Sequence, residues 1–371
     1  MEISKIDTFP LFCRLTKPYG DANGYKYYRS CYLFRITTQS GIEGWGEVVD
    51  WLPTLDVGFR ERIIPFLIGK KATQKNKLVH VIKKWNQRIA SGVSMALTEI
   101  IAKSSRLSVC DLWGGSWRDQ VPVYASFQSY SEDADWMNHS LHLVEQSVLD
   151  GYKQVKVKVG GRSLQEDQKH IRLLQEKFEG NIQLAIDANQ SYDYSTACQW
   201  ESFFSGSANL LWFEEPLPLH QTEEYRMLRN RLSMPVAGGE NIQSTREFLP
   251  LLNKRSFDII QPDLNHHPGV DDFRNTLNLA RSYGVRCSPH AFDGALSRLY
   301  MAFAQSCLPP WTKMETDSVE PVEWDVMENP FSQLIPLQPS NGFLTLPKGI
   351  GIGVEINQEI IKKYMWDGRS Y

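Results

Sequence analysis

Lys156 and Lys158 stand two positions apart in the run Val155-Lys156-Val157-Lys158-Val159. A β-strand sends alternate side chains to opposite faces, so both ammonium groups leave one face and the valines the other. Three acids follow at the ends of three further short apolar runs: Asp187 in Ile186-Asp187-Ala188-Asn189, Glu214 in Phe213-Glu214-Glu215-Pro216, and Glu240 after Gly238-Gly239. A carboxylate inside an apolar run is costly without a compensating cation. One per strand over three strands makes a hard oxygen donor set of the kind that takes Mg²⁺, or Mn²⁺ in its place, with water and substrate completing the shell. The next two runs end in Asp263 and His290, and a carboxylate beside an imidazole fixes its tautomer and raises its basicity. A last run, 311–316, carries Glu315. Singly, each of these is ordinary: a solvated lysine, a helix N-cap, a loop histidine. Their succession at strand end after strand end points to one site.

Such a set suits removal of a hydrogen alpha to a carboxylate. That hydrogen is a weak acid, because its loss adds a second negative charge to an anion, and a divalent cation stabilises the enediolate that results. An amine and an imidazole are the bases on offer, and Lys156 together with the cation is expected to lower the pKa of Lys158.

The residues need a frame that brings strand ends together. From residue 121 the chain alternates short β-branched or aromatic runs (121–126, 153–159, 182–189, 209–214, 234–240, 257–263, 285–290 and 311–316) with helix-period segments. Ser163 and Glu166 have capping-box spacing, as do Ser244 and Glu247, and Gly180 and Gly284 follow helical stretches. Eight strands at intervals of roughly 22 to 32 residues predict a parallel barrel, whose function gathers at the C-terminal strand ends. The segment before 121 reads as a separate α+β unit, with strands at 31–37 and 41–49 and helices at 60–66, 76–89 and 91–102. Domains are thus expected at 1–120, 121–325 and 326–371, the Gly-rich last piece being strand-and-turn material.

Composition narrows the partners. The 371 residues carry 40 Lys+Arg against 43 Asp+Glu, a net charge of −3, and 42 % are apolar. This is a core-forming chain with no basic excess for nucleic acid. No apolar run approaches the ~20 residues of a membrane span, and the start has no signal-peptide pattern. The six cysteines are scattered with no Cys-x-x-Cys pair, which fits reduced thiols in a cytoplasm.

The order Lys-x-Lys, Asp187, Glu214, Glu240, Asp263, His290, with Gly41-x-x-Gly44-x-Gly46-Glu47 near the start, resembles the enolase superfamily in its mandelate racemase subgroup. The resemblance runs over nearly the whole chain. It implies a modified TIM barrel of (β/α)7β type, with an N-terminal α+β cap completed by the C-terminal tail, and a homo-oligomer acting on a small carboxylate. It implies Asp187, Glu214 and Glu240 as Mg²⁺ ligands, Lys158 as the base on one face with Lys156 beside it, and His290 with Asp263 on the other. Glu315 is then the group that hydrogen-bonds the substrate carboxylate, and Asn189 touches a substrate hydroxyl. Loops of the cap set specificity in such enzymes, which singles out Tyr25 in 19–29 and Trp51 in 50–54. The implied reaction is dehydration of an acid sugar to a 2-keto-3-deoxy acid; racemisation or epimerisation is the alternative, and a non-catalytic metabolite-binding relative a third. Two departures stand out: Asp263 is followed by Leu264-Asn265-His266-His267, whose histidines either reach the substrate or lie in a surface loop, where a Gly-Gly turn is usual, and Glu99 replaces an Asp in the cap helix.

Overall fold

The computed structural model describes every residue except 179, 205–208, 315–317 and 370. Three antiparallel strands open the chain: β1 (Ile3–Asp21), β2 (Gly24–Thr38) and β3 (Glu43–Val48). Alternation along β2 divides its side chains between two cores. Tyr32, Phe34 and Ile36 pack with the cap helices, whereas Cys31 and Leu33 join the apolar cluster that continues into the barrel. β1 is a 19-residue strand, so residues 19–29 are not a loop as read from sequence but the twisted end of the β1–β2 hairpin, turning between Asp21 and Gly24.

The glycine motif is explained by close packing of β3 on the helix Gln87–Ser104. A Cβ on Gly44 would meet the Ala96 carbonyl oxygen at 2.1 Å, and one on Gly46 would meet the Gly92 oxygen at 2.4 Å. Glu99 tightens the same contact, accepting the Trp45 N–H at 2.8 Å and pairing with Lys103 at 2.7 Å. The expected helices at 76–89 and 91–102 are divided elsewhere, into Lys75–Ile82 and Gln87–Ser104. Asn86 sets the break, because its side chain caps the second helix by accepting the Ile89 N–H at 2.9 Å.

Eight parallel strands then form the barrel: β4 (Gln120–Ser126), β5 (Gln154–Lys158), β6 (Gln183–Asp187), β7 (Leu210–Glu214), β8 (Val236–Gly238), β9 (Ile259–Ile260), β10 (Arg286–Cys287) and β11 (Val322–Asp325). They run in the order β10-β9-β8-β7-β6-β5-β4-β11, and Glu323 N–H to Pro289 O at 3.2 Å spans the remaining gap. Helical connections follow the first seven strands. The Ser163–Glu166 capping box forms, but the Ser244 side chain caps nothing; Glu247 accepts from the Gln243 N–H at 3.1 Å instead.

The eighth strand departs from the sequence reading. Residues 311–314 are bends: Trp311 lies 4.1 Å from the Arg281 guanidinium carbon and donates to Glu320, and Met314 is 70 % exposed. β11 comes some ten residues later and pairs in parallel with β4, Glu323 opposite Tyr124. Glu315 lies outside the described residues. Beyond β11, β12 (Phe343–Thr345) pairs antiparallel with the barrel strand β4, and only then does the helix Gln358–Tyr364 reach β1. Among the described residues no helix is long and apolar enough to cross a membrane.

Cap and barrel are joined by buried charge. The helix Ala295–Ser306 has no cap of its own. Glu47 of β3 supplies one, accepting from Ala295 N at 3.1 Å, Leu296 N at 2.9 Å and Ser297 Oγ at 3.1 Å. Arg29 of β2, fully buried, pairs with Asp293 and, at 2.9 Å, with Asp325. The hairpin end docks too, Gly20 and Tyr130 exchanging backbone hydrogen bonds at 2.8 and 3.1 Å.

One buried group gives the fold a pH dependence. His170 packs edge-on against Trp136 with its Nε2 3.0 Å from Ser140 Oγ, and burial pushes the imidazole down to about 3. A folded pKa below the unfolded value near 6.5 means that stability is full above pH 6.5 and falls as pH drops toward 3. Replacing His170→Gln should therefore flatten the acid side. The difference in unfolding free energy between wild type and H170Q, from denaturant titrations at pH 7, 6 and 5, is expected to change by about 1.4 kcal/mol per pH unit below 6.5. Parallel curves would refute the assignment.

Candidate active site

Strand register decides which side chains meet. Across β5, β6 and β7, Lys158 lies opposite Asp187 and Asp187 opposite Glu214, so three successive C-terminal ends place their charges in one row. Lys156, one step lower on the same face, pairs with Ala185 of β6, while Val155 and Val157 enter the apolar layer outside. Both lysines point into the barrel and are buried.

The contacts are short and shared. Lys158 Nζ is 2.5 Å from Asp187 Oδ2. Lys156 Nζ is 2.5 Å from Glu214 Oε1, 3.0 Å from Glu323 Oε1 and 3.3 Å from Asp187 Oδ2. Glu214 Oε2 is held from below by Trp212 Nε1–H at 2.8 Å and Gln261 Nε2–H at 2.6 Å. On the other side of the barrel, after β10, five strands from β5 in the sheet, His290 places Nδ1 2.8 Å from Asp263 Oδ2. Its Nε2 faces inward, 3.2 Å from Glu240 Oε2 and 3.4 Å from Glu323 Oε2.

Burial and neighbours compete at each group. Burial alone would push both lysines down, but Asp187 holds Lys158 above the usual lysine range and Glu214 with Glu323 does the same for Lys156. Lys156 does act on Lys158 in the expected downward direction; Asp187 outweighs it. For His290 too, burial is overcome by Glu323, Glu240 and Asp263, which keep the imidazolium favoured. Burial and the adjacent Asp187 push the Glu214 carboxyl up to about 7, and burial with Glu240 pushes Glu215 up to about 8.

Asp187, Glu214 and Glu240 each offer an oxygen within 4.8 Å of the others, a group able to hold a metal ion. Two observations fit a hard divalent cation there. The carboxyls of Asp187, Glu214, Glu240, Asp263 and Glu323 outnumber the cations Lys156, Lys158 and His290 that face them. Glu240 Oε2 is a buried carboxylate oxygen that accepts no well-aligned hydrogen bond.

The remaining expected residues divide. Asn189 is at the mouth, in a left-handed conformation (φ 43°), with its N–H on Asp187 Oδ1 at 2.9 Å and its own Oδ1 buried and unpartnered. Tyr25 reaches the barrel loops: its hydroxyl donates to Ser131 O at 3.1 Å and accepts from Arg162 at 2.9 Å. Trp51, 39 % exposed, packs its ring 4.4 Å from that of Tyr371. The two adjacent histidines are not surface-loop residues. His267 is fully buried, with Nδ1 2.9 Å from the Asp263 carbonyl and Nε2 3.1 Å from Thr276 Oγ1. His266 places Nδ1 2.7 Å from the Glu240 carbonyl and Nε2 3.0 Å from Arg88 of the cap. The pair steadies the backbones that carry Asp263 and Glu240.

Glu323, Trp212 and Gln261 were missed by the sequence reading. Glu323 had a signal in Val322-Glu323-Trp324-Asp325, an alternating strand pattern, but the earlier aromatic run at 311 claimed the eighth place. Trp212 and Gln261 look like plain core residues in sequence, and only their inward register reveals them.

Comparison with known proteins agrees with this architecture. Residues 140–360 match the family described as Enolase C-terminal domain-like, and residues 12–114 match the Mandelate racemase / muconate lactonizing enzyme N-terminal domain. The chain is 29 % identical to a D-galactarolactone cycloisomerase of Agrobacterium fabrum, over 98 % of this chain and 99 % of the relative. It is 28 % identical to an arabinonate dehydratase of Saccharolobus solfataricus, over 74 % and 71 %. A solved enolase-superfamily member from Polaromonas sp. JS666 superposes with a TM-score of 0.86 at 23 % identity, covering 100 % of this chain and 99 % of the other. With a charged barrel mouth closed by an antiparallel cap, and with both parts matched in order along the chain, this protein belongs to the mandelate racemase / muconate lactonizing enzyme family of the enolase superfamily.

Proposed function

We propose that this chain is a Mg²⁺-dependent enzyme that abstracts the α-proton of an acid sugar and dehydrates it to a 2-keto-3-deoxy acid. The observation that carries the reading is the placement of an amine and an imidazole across one barrel mouth, with three clustered carboxylates between them along the sheet. Relatives named as dehydratases of arabinonate and D-xylonate support the substrate class.

Asp187, Glu214 and Glu240 would hold the ion. Bound there, it would supply Lewis-acid stabilisation of the negative charge that grows on the substrate carboxylate. Lys158 Nζ takes the α-proton on one face as the free amine, the form it would reach once Asp187, which otherwise holds it protonated, is engaged by a bound cation. Lys156 keeps a fixed positive charge beside it, because three carboxylates surround its ammonium. Across the mouth, His290 gives its Nε2 proton to the departing β-hydroxyl, which leaves as water, and the enol product becomes the keto acid. Asp263 orients the ring by accepting from Nδ1, so the acidic proton is the one aimed inward. Glu323, reaching both Lys156 and His290, is the strand-eight carboxylate of the site. Asn189, with its unpartnered Oδ1, is placed to meet a substrate hydroxyl, and Tyr25 stands where the cap covers the mouth.

Isomerisation is the second reading. The same two groups across the mouth would return a proton to the opposite face, and a relative matched over nearly its full length is named a cycloisomerase.

Two experiments test the assignments. Asp187→Asn removes one charge from the donor set and should weaken Mg²⁺ binding by more than about 10-fold in a calorimetric titration; unchanged affinity would rule out the ligand role. Incubating the protein with Mg²⁺ and a panel of acid sugars and their lactones in D₂O, followed by NMR, reads the reaction itself. Wild type should lose the α-hydrogen signal and form a keto acid. Lys158→Ala should lose both, by about 10²–10⁴-fold, whereas His290→Asn should lose keto acid but retain exchange. An inverted or ring-altered product would select isomerisation, and no exchange with any acid that binds would leave only a metabolite-binding protein.

A further inference from the structure

Two thiols that the proposed chemistry does not use meet at the joint between cap and barrel. Cys110 lies in the short helix Val109–Leu112, where the cap segment ends. Cys307 is the C-terminal cap residue of the barrel helix Ala295–Ser306. Their sulfurs flank one hydroxyl, Cys110 Sγ 3.6 Å and Cys307 Sγ 3.9 Å from Ser306 Oγ. Backbone contacts build this meeting. Trp117 N–H donates to Ser306 O at 2.8 Å, and the Arg118 guanidinium donates to Gln305 O at 3.0 Å and Leu308 O at 2.6 Å. The segment after Cys110 thus wraps the C-terminal end of the helix that carries Cys307.

The two thiols are unequal. Cys307 is half-buried, and the neighbouring Cys110 thiol, with Ser306 and the nearby Arg274 guanidinium, pulls it down to about 7. Arg274 is fixed in place over the Trp113 ring, 4.4 Å from its centroid. Cys110 moves the other way, pushed up by the neighbouring Cys307 thiol and by burial, and it lines a surface cleft with Arg106, Asp111 and Lys348. A half-exposed thiolate beside a reserve thiol is the arrangement of an attacking and a resolving cysteine.

We propose that Cys110 and Cys307 form a reversible disulfide that staples cap to barrel under oxidation by a peroxide. The Cys307 thiolate attacks the O–O bond of hydrogen peroxide, forming a sulfenic acid and releasing hydroxide. The Cys110 sulfur, giving up its proton, then attacks the sulfenic sulfur; the S–O bond breaks and water leaves. The two thiols lose two electrons and two protons, and one peroxide becomes two waters. Both sulfurs flank the Ser306 hydroxyl, so rotation about their Cα–Cβ bonds is the movement that would bring them to the bonded length of about 2.05 Å. The bridge closes a loop of roughly 200 residues, a long one for a single crosslink, so it should raise stability. The active-site mouth lies at the opposite end of the Ala295–Ser306 helix, and its chemistry should not change.

The test uses the full chain with a small excess of hydrogen peroxide, alkylation under denaturing conditions and intact mass. Oxidised wild type should show four alkylated thiols where reduced protein shows six, and a proteolytic fragment joining Cys110 to Cys307; dithiothreitol should restore six. The thermal midpoint should rise by several degrees on oxidation in wild type and stay fixed in Cys307→Ser. Cys110→Ser should leave a sulfenic acid on Cys307 that dimedone traps. Six alkylated thiols after treatment, a bridge between other cysteines, or Cys307 driven to sulfinic acid without a crosslink would each overturn the pair. A bridge that leaves the midpoint unmoved would overturn the stapling role.

Discussion

Concentrated negative charge at the open end of the barrel is the constraint from which the rest follows. Asp187, Glu214 and Glu323 are each almost fully buried, where an uncompensated carboxylate would be prohibitive. Two lysines and a histidine offset part of that charge, which is why Lys156 can sit at the centre of the barrel, fully buried above the Tyr124 ring. In the proposed function a cation held by Asp187, Glu214 and Glu240 would both complete that balance and supply the Lewis acid. Structure and chemistry are therefore one electrostatic problem, and parallel strands in register are its solution, since register alone sets Lys158, Asp187 and Glu214 side by side.

Polar residues reach down into the barrel beneath this row. Trp212 and Gln261 both donate to the same Glu214 oxygen, leaving its other oxygen to Lys156. A carboxylate with three donors has little freedom to rotate, and such preorganisation is what a stabilised anionic transition state requires. His266 and His267 do for the Glu240 and Asp263 backbones what these two do for Glu214. Barrel strand, following loop and cap helix all hold the same few atoms.

Much of this was readable before any coordinates. The Lys-x-Lys alternation and the acids closing successive apolar runs located the inward-facing side chains, because a period of two leaves no choice of face. What failed did so for identifiable reasons. The run at 311 is aromatic and arrives on the barrel's beat, so it outcompeted Val322–Asp325, whose own charged residues resemble a surface strand until Glu323 and Asp325 find Lys156 and Arg29. The first strand was overlooked because its faces serve a cap helix layer and a barrel loop layer at once, which blurs the polar–apolar contrast. Nothing local to His266 and His267 announces the cap guanidinium that meets the first or the threonine hydroxyl that meets the second, so neither contact is legible in the sequence.

The capping of the Ala295–Ser306 helix by Glu47 has a consequence for how such a molecule can be rebuilt. The acceptor and the amides it satisfies are 248 positions apart for Ala295, so the helix that follows His290 borrows its first turn from the opposite end of the polypeptide. Lid and barrel are thus not interchangeable modules. A chimera that exchanged the lid for a relative's, to import a new substrate preference, would have to bring an acid at the position of Glu47. Without it, the loop between His290 and the helix would lose its anchor, and the imported specificity would arrive with a misaligned acid–base pair.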